Sequence, residues 1–283
     1  MADARTIGEL AACFDEGRWH TAHFRKVPSQ ASVAGQWVDL SMAPGNPQPN
    51  YYVGSPYEAT VLNGQRGIFA GAAKSPATQR IVSLSLCTPT AALVGAYKLL
   101  DYLLFYPLID LDDVSAQPTD NTVTLPRYAT GEGVRAMLVV SNPTIGGGSI
   151  RYVYIDSDGV ERTSPTISLN TTADAPATIA TSQQGTAAGG QLFLPMHHAS
   201  KGVRSITSVE VIAPNGGLAT IVLVRPLVDA QIFEASVVSQ RNYVTEMPHA
   251  PAIVDGAFLG LVTSCAASVA AGQITGNAVF TWK

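Results

Sequence analysis

The feature that most constrains this chain is a succession of short β-prone runs that starts near residue 78 and continues to the end of the sequence. Val, Ile, Leu, Thr and Tyr dominate these runs, and Gly, Pro, Asn and Asp separate them, which is the pattern of strands joined by turns. Long amphipathic helical patterns are missing between the runs, so a parallel sheet with crossover helices is not expected. The predicted strands are residues 80–87, 97–106, 134–142, 150–155, 205–213, 220–225, 252–263 and 274–282.

Three Gly- and Asp-rich segments, residues 146–148, 156–159 and 214–217, have the composition of tight turns and predict antiparallel neighbours. The expected fold class is therefore mainly β, an antiparallel β-sandwich with the jelly roll as one candidate form. Residues 91–111 also fit a helix, although Pro107 limits its length. Residues 166–190 are interpreted as a long loop or a weak edge strand.

The first 77 residues read differently from the body at residues 78–283. Thr6 and Glu9 form a capping-box pattern, and apolar spacing predicts one short helix that continues to about Val27. Residues 28–56 are rich in Pro, Gly and Asn and predict an extended arm. A hairpin is expected around Asn63-Gly64, between residues 59–62 and 67–70.

Charge and hydropathy exclude two classes of partner. Charged residues make up 13% of the chain against 46% apolar residues, and the net charge is −4. Because no cluster of Lys and Arg is present, direct binding of nucleic acid is not expected. The most apolar run, residues 99–111, is interrupted by two aspartates and a proline, so no membrane anchor is predicted. The N-terminus lacks the pattern of a secretory signal, which favours synthesis and assembly in a cytoplasm.

No catalytic, cofactor-binding or metal-binding residues are predicted. The string GEGVRA at residues 131–136 matches a dinucleotide fingerprint, but a strand-like run follows it where a helix is required. His197 and His198 are adjacent, and on an extended segment their side chains would point to opposite faces. The DSDG turn at 156–159 lacks the downstream bidentate Glu of a calcium loop. The aspartates at 110, 112 and 113 form an acidic cluster that could bind a divalent ion, and solvated carboxylates on a loop are the alternative that we favour. Cys13, Cys87 and Cys265 are expected to be free and buried.

Tyr51, Tyr52 and Tyr57 are the candidate partner contacts. They lie among prolines, where an aromatic patch could face a partner protein or a glycan. Packing of the same rings on the chain's own core is the alternative.

Three segments resemble a family of virion structural proteins of tailed bacteriophages. They are LDYLLFYPLIDLDDVSAQPTDNTVTLPR at 100–127, YATGEGVRAMLVVSN at 128–142 and GGGSIRYVYIDSDGVERT at 146–163, and the similarity continues through residues 192–225. These are strand and turn sequences, so the resemblance implies a particle component and no catalytic residue.

The expected function is that of a non-enzymatic capsid decoration, or cement, protein, which would bind the major capsid protein and copies of itself, with a trimer as one option. The arm at residues 28–56 would order on a neighbouring subunit, so removal of residues 1–56 would leave a folded body that no longer binds capsids. The alternatives are a tail or connector component, another capsid component, and a glycan- or receptor-binding virion module. A depolymerase is the enzymatic alternative.

Overall fold

The computed structural model describes residues 4–183, 190–246 and 249–283, with only the backbone described for Ala271. One helix, α1, spans Ile7–Asp15. The strands are β1 Trp19–Lys26, β2 Trp37–Asp39, β3 Gly45–Asn46, β4 Thr60–Val61, β5 Gln79–Cys87, β6 Gly95–Asp110, β7 Ala116–Pro118, β8 Arg135–Asn142, β9 Ser149–Asp156, β10 Glu161–Thr163, β11 Ile167–Ser168, β12 Val203–Ala213, β13 Leu218–Ile232, β14 Ser239–Asn242, β15 Ala252–Ile253, β16 Phe258–Cys265 and β17 Ile274–Trp282.

These strands form three antiparallel sheets. The first has the order β14-β5-β17-β1-β3, the central one β2-β16-β6-β13-β8, and the third β10-β9-β12-β7. The predicted antiparallel β-sandwich is confirmed, with the central sheet packed against both other sheets. The turn at 156–159 joins β9 and β10 as a hairpin, whereas residues 146–148 and 214–217 connect strands of different sheets.

Alternation of side chains along the central strands separates two cores. On β13, Val222 and Val224 belong to the core shared with the first sheet, while Ile221 and Leu223 belong to the core shared with the third. Because neighbouring side chains on a strand point to opposite faces, a strand buried on both faces must be apolar at nearly every position. This explains the run at residues 99–111, which lies largely within β6.

Asp101 is the charged exception in the middle of β6, where it is 0% exposed. The Nε and Nη2 atoms of Arg127 donate to its two carboxylate oxygens at 3.0 and 2.8 Å. Arg127 also donates to the carbonyl of Tyr102, and the amide of Phe258 donates to Asp101. The buried charge is therefore paired, and the pair fastens residue 127 to the middle of the central sheet.

A short segment at residues 177–180 bridges the two edge strands of the central sheet. The amide of Ile179 donates to the carbonyl of Trp37 on β2, and the amide of Val140 on β8 donates to the carbonyl of Thr178. Both edges are thereby hydrogen-bonded to a common segment, which leaves less unpaired backbone for other chains.

The N-terminal helix is shorter than the sequence predicts. The capping box at Thr6 and Glu9 is present, but α1 ends at Asp15 and Gly17 turns the chain at φ +69°. Residues 19–26 form β1, which pairs along its whole length with β17. Alternate residues such as Ala22 and Phe24 are buried, so a period of two, rather than a helical period, describes this segment.

Residues 28–56 are not an extended arm in this structure. Val38 of β2 and Leu40 of the following 3-10 turn lie in the core shared by the first and central sheets. The hairpin around Asn63 is also absent, because β4 pairs with β6 and the amide of Ile68 bonds to Leu259 instead. Residues 1–56 thus contribute strands to the body, so their removal is not expected to leave it folded.

The other ambiguous segments are resolved by pairing. Residues 95–110 are strand β6, preceded by one 3-10 turn. The predicted strand at 252–263 divides into β15 and β16, because the chain turns at Gly256 with φ +77°. Within residues 166–183 only the short β11 is a strand, and the remainder of that prediction, residues 184–189, lies outside the described residues. Among the described residues, no helix is long and apolar enough to span a membrane.

Candidate interaction surface

The three candidate tyrosines lie in different environments in the structure. Tyr51 is 53% exposed, whereas Tyr52 is 3% exposed. Tyr57 is half-buried and packs against the core shared by the central and third sheets. Of the two alternatives for this segment, packing on the chain's own core applies to Tyr52, whose ring lies in the core and offers no surface to a partner. Tyr52 is therefore corrected as a candidate partner contact.

A buried polar network holds Tyr52 in place. The carboxylate of Asp39, which is fully buried, accepts hydrogen bonds from the hydroxyls of Tyr52 and Tyr102, the latter at 2.7 Å. The amide and hydroxyl of Ser41 add two further bonds, at 2.8 and 2.9 Å. Four donors therefore converge on one carboxylate, which compensates for the loss of its water.

Burial determines how the groups of this network titrate. Burial raises the pKa of Asp39, although the hydrogen bonds from the two tyrosines and Ser41 oppose that shift. Burial and the charge of Asp39 raise the pKa of Tyr52 and of Tyr102 well above the usual range. Both hydroxyls therefore stay protonated at neutral pH and remain donors to the carboxylate.

Lys26, at the end of β1, holds the middle of residues 39–52. It is 4% exposed, and its Nζ donates to the carbonyls of Ala43 and Pro47 at 3.0 and 2.8 Å. Burial lowers the pKa of Lys26 to about 8, against the attraction of Asp39. Residues 39–52 are thus fixed at both ends by buried polar groups.

This anchoring leaves Tyr51 and Val53 on the surface, because they flank the inward-facing Tyr52. Val53 is 84% exposed. Tyr51 borders a cavity of about 190 Å³ whose lining is mostly apolar: Pro28, Val38, Met42, Ala43, Pro44, Pro176 and Ala177. An exposed aromatic ring beside an apolar concavity is a common feature of protein interfaces.

A second apolar surface is the loop between β13 and β14, residues 233–238, called here the 233–238 loop. Phe233 is 76% exposed, Val237 50% and Val238 64%. Three large apolar side chains within six residues, on a chain with few charges, form a patch of the kind that partner proteins cover. No pattern of the sequence had indicated this loop, because its residues resemble those of any β-prone run.

A third group lies at the N-terminus, where Ile7 is 61% exposed and Trp19 45%. The rings of Phe14 and Trp19 lie 5.8 Å apart. The helix therefore presents part of its apolar side to solvent rather than to the core, where only Leu10 and Cys13 of α1 are buried.

The histidines and glycines considered above for metal or cofactor chemistry lie in turns and connecting segments. Among the described residues, no group of three or more His, Cys, Asp and Glu side chains could hold a metal ion. The rings of His197 and His198 lie 4.1 Å apart rather than on opposite faces, because residues 197–199 are not in a strand. Gly131 and Gly133 adopt positive φ in a turn before β8, which is a strand as expected.

The aspartates act within turns. Asp156 is buried, and hydrogen bonds from the amide of Val160 and from Arg162 lower the pKa of its carboxyl. Asp113 accepts from the amide and hydroxyl of Ser115, which lowers its pKa too. All three cysteines are free, with Cys13 and Cys265 buried and Cys87 half-buried.

Comparison with known proteins identifies no family. No family model matches the chain, and no curated protein matches it. Among solved structures, the crystal structure of the infectious bursal disease virus VP2 subviral particle is similar at 7% identity and a TM-score of 0.20, over 94% of this chain and 81% of that one. The T=1 particles derived from infectious bursal virus give 11% identity and a TM-score of 0.18, over 93% and 77%. Scores of this size establish neither a shared fold nor a function.

Proposed function

We propose that this chain is a non-enzymatic structural protein of a bacteriophage virion and that it decorates the head as a cement protein. The sequence resemblance to tailed-phage virion proteins supports this function. The resembling segments are the ones that build β6, β8 and β9, so the resemblance concerns the body of the fold. The protein would be made in the host cytoplasm and would bind the major capsid protein without contacting nucleic acid or membrane.

The observation that carries the proposal is the exposed apolar surface on a chain with few charges. The 233–238 loop and the Tyr51–Val53 segment both expose large apolar side chains, and charged residues are only 13% of the sequence. Burial of such groups against a lattice of subunits would stabilise a particle through many modest contacts. Copies of the chain meeting on the head, as a trimer or another closed assembly, would add contacts of the same kind.

The mode of attachment follows from the fold. Val38, Leu40 and Tyr52 hold core positions, so the chain would attach through surface loops of the folded body rather than through a free arm. We assign the capsid contact to the 233–238 loop. Rigid contact loops lose little conformational freedom on binding, which favours affinity.

Co-sedimentation of the purified protein with capsids stripped of it tests this function. Saturable binding at regular lattice positions is expected. The variant F233D/V238D should bind at least about tenfold more weakly, because two carboxylates would be buried in the contact. The matched control I145D places a carboxylate at a 77% exposed apolar residue in the turn between β8 and β9, and it should bind as the wild type does.

Different results would assign other roles. Binding to purified tails or connectors and not to heads would overturn the decoration role in favour of another virion position. Equal binding by F233D/V238D and I145D would refute the assignment of the contact to the 233–238 loop.

A further inference from the structure

A groove of about 900 Å³ lies between the 3-10 turn at Gly64–Arg66 and the turn that precedes β16. Its volume is at the upper end of the range usual for small-ligand sites. The side chains that give it chemical character are five amides, one aromatic ring and one carboxylate: Asn46, Gln48, Asn63, Gln65, Gln79, Phe69 and Asp255. The amide of Gln79 already donates to the carbonyl of Ala70.

The groove is electrically almost neutral. Among the described residues that line it, none is basic, and the one acidic residue, Asp255, already accepts hydrogen bonds within the protein. Both oxygens of Asp255 accept backbone hydrogen bonds, from the amide of Lys74 at 2.8 Å and from that of Ser75 at 3.0 Å. An anionic ligand would therefore find no counter-ion among these lining residues, whereas a neutral polar ligand would lose little by entering.

The side-chain amides of the groove have donors and acceptors that are free for a ligand. Within the described part of the chain, the side chains of Gln48 and Gln65 make no hydrogen bond, and both residues are exposed. Asn46 uses only its nitrogen, which donates to the carbonyl of His23 at 3.0 Å. Each of these amides keeps a donor, an acceptor or both, and an amide that offers donor and acceptor side by side suits the vicinal hydroxyls of a sugar.

Phe69 supplies the apolar contact. Its ring is 60% exposed, and the ring of His20 meets it nearly edge-on, at 82° and 5.6 Å between centroids. Nε2 of His20 also lies 3.2 Å from the carbonyl of Phe69, so the residue is held in place while most of its ring stays accessible. A flat, exposed aromatic surface can stack on the apolar face of a sugar ring.

The backbone under the groove is packed tightly, so the groove is formed before any ligand binds. A side chain at Gly67 would meet the amide nitrogen of Leu259 at 2.7 Å, and one at Gly64 would meet the carbonyl of Ala257 at 2.9 Å. Only glycine allows these two segments to approach so closely. A preformed groove avoids the entropy cost of ordering loops on binding.

We propose that this groove binds a neutral oligosaccharide, with Phe69 as the stacking residue and the amides of Gln48 and Gln65 as hydrogen-bonding groups. This binding site goes beyond the capsid contact and uses different residues. A protein fixed to a particle by one surface could hold a polysaccharide with another.

Calorimetric titration with four probes tests the proposal: neutral tetrasaccharides of glucose, of mannose and of N-acetylglucosamine, and tetragalacturonate as the anionic comparison. At least one neutral probe is expected to bind saturably. F69A should weaken that binding at least about tenfold and F69W should retain it, while I145A, outside the groove, should bind like the wild type. Q65A should weaken binding by a smaller factor.

The proposal is overturned if no neutral probe binds at millimolar concentration, if F69A binds as tightly as the wild type, or if tetragalacturonate binds more tightly than the neutral probes. Circular dichroism of F69A excludes unfolding as the cause of a loss. Co-sedimentation of F69A with stripped capsids should match the wild type, so failure of the glycan site and failure of the capsid role give different results.

Discussion

Replacing Arg127 by methionine should destabilise this protein strongly. The side chain of Arg127 is 5% exposed and that of Asp101 is fully buried. Methionine retains most of the side-chain volume but removes both hydrogen bonds from the guanidinium to the carboxylate. Asp101 would keep the amide of Phe258 as a donor at 3.1 Å.

The magnitude follows from the burial of the charge. Removing one partner of a buried ion pair usually costs about 3–5 kcal/mol, because the other charge is left unpaired. The pair Arg151–Glu210 gives a matched control, since its guanidinium also contacts one carboxylate through Nε and Nη2. Those side chains are 41% and 39% exposed, so R151M should cost at most about 1 kcal/mol.

The loss in R127M should also depend on pH. Burial raises the pKa of Asp101, and Arg127 opposes that shift. Without Arg127 the folded-state pKa rises further above the unfolded value, so the folded state binds the proton more tightly than the unfolded chain does. Stability is then lost as pH rises through the folded-state pKa, and the deficit of R127M should be larger at pH 8 than at pH 5.

Urea unfolding, followed by circular dichroism, measures these free energies of unfolding. The slope of the free energy against urea concentration should be the same for all variants. In the double variant D101N/R127M, the amide at 101 can still accept from Phe258 and no charge remains buried. The double variant should therefore be more stable than the sum of the two single losses predicts, by at least about 1 kcal/mol. Additive losses, or an R127M deficit no larger than that of R151M, would refute this account of the pair.

Four further perturbations test the fold. Phe24 is 0% exposed, so F24A should cost about 3–5 kcal/mol in urea unfolding, and deletion of residues 1–56, which removes β1 and β2, should yield no cooperatively folded protein by circular dichroism. G276A should lower stability by about 1–3 kcal/mol, because a Cβ there would lie closer than van der Waals contact to the ring of Phe24 and to the carbonyl oxygen of Ser85. A melting temperature equal to that of the wild type would contradict that packing. Folding lowers the pKa of Lys26 to about 8 from its ordinary value of 10.5, so between these two pH values the unfolded chain binds more protons than the folded one. The free energy of unfolding of the wild type, relative to that of K26M, should therefore increase from pH 8 to pH 10.5. Parallel pH profiles of the two proteins would contradict the burial of the ammonium group.

The strands of the body could be predicted because their determinants are local. The β-prone runs at residues 80–87 and 274–282 lie within β5 and β17. In other parts of the body, glycines mark the ends of strands. β1 was missed because its apolar residues, which are few, also fit the helical spacing that begins at Ile7, and the segment is held by β17. Its conformation is decided by tertiary pairing rather than by propensity.

The same distinction applies to the candidate surface. The tyrosine-rich segment was visible in the sequence, but the direction of each ring was not. Tyr52 turns inward because its hydroxyl donates to the buried Asp39, which also accepts from the distant Tyr102, and Tyr51 therefore faces outward. One local signal was present for the buried ion pair: an aspartate in the middle of the apolar run LLDYLL predicts a buried partner. Its identity as Arg127 depends on the fold.

The pairing of β1 with β17 determines when this protein can finish folding. Contacts between the two strands, such as that of His23 with Asn277, join residues 254 positions apart in the chain. On the ribosome, β1 must wait for residues 274–282 before its sheet can close, so the first sheet completes only after almost all of these residues have been synthesised. Incomplete chains would expose Phe24 and its neighbours, and a closed first sheet would be confined to chains that have been translated through β17.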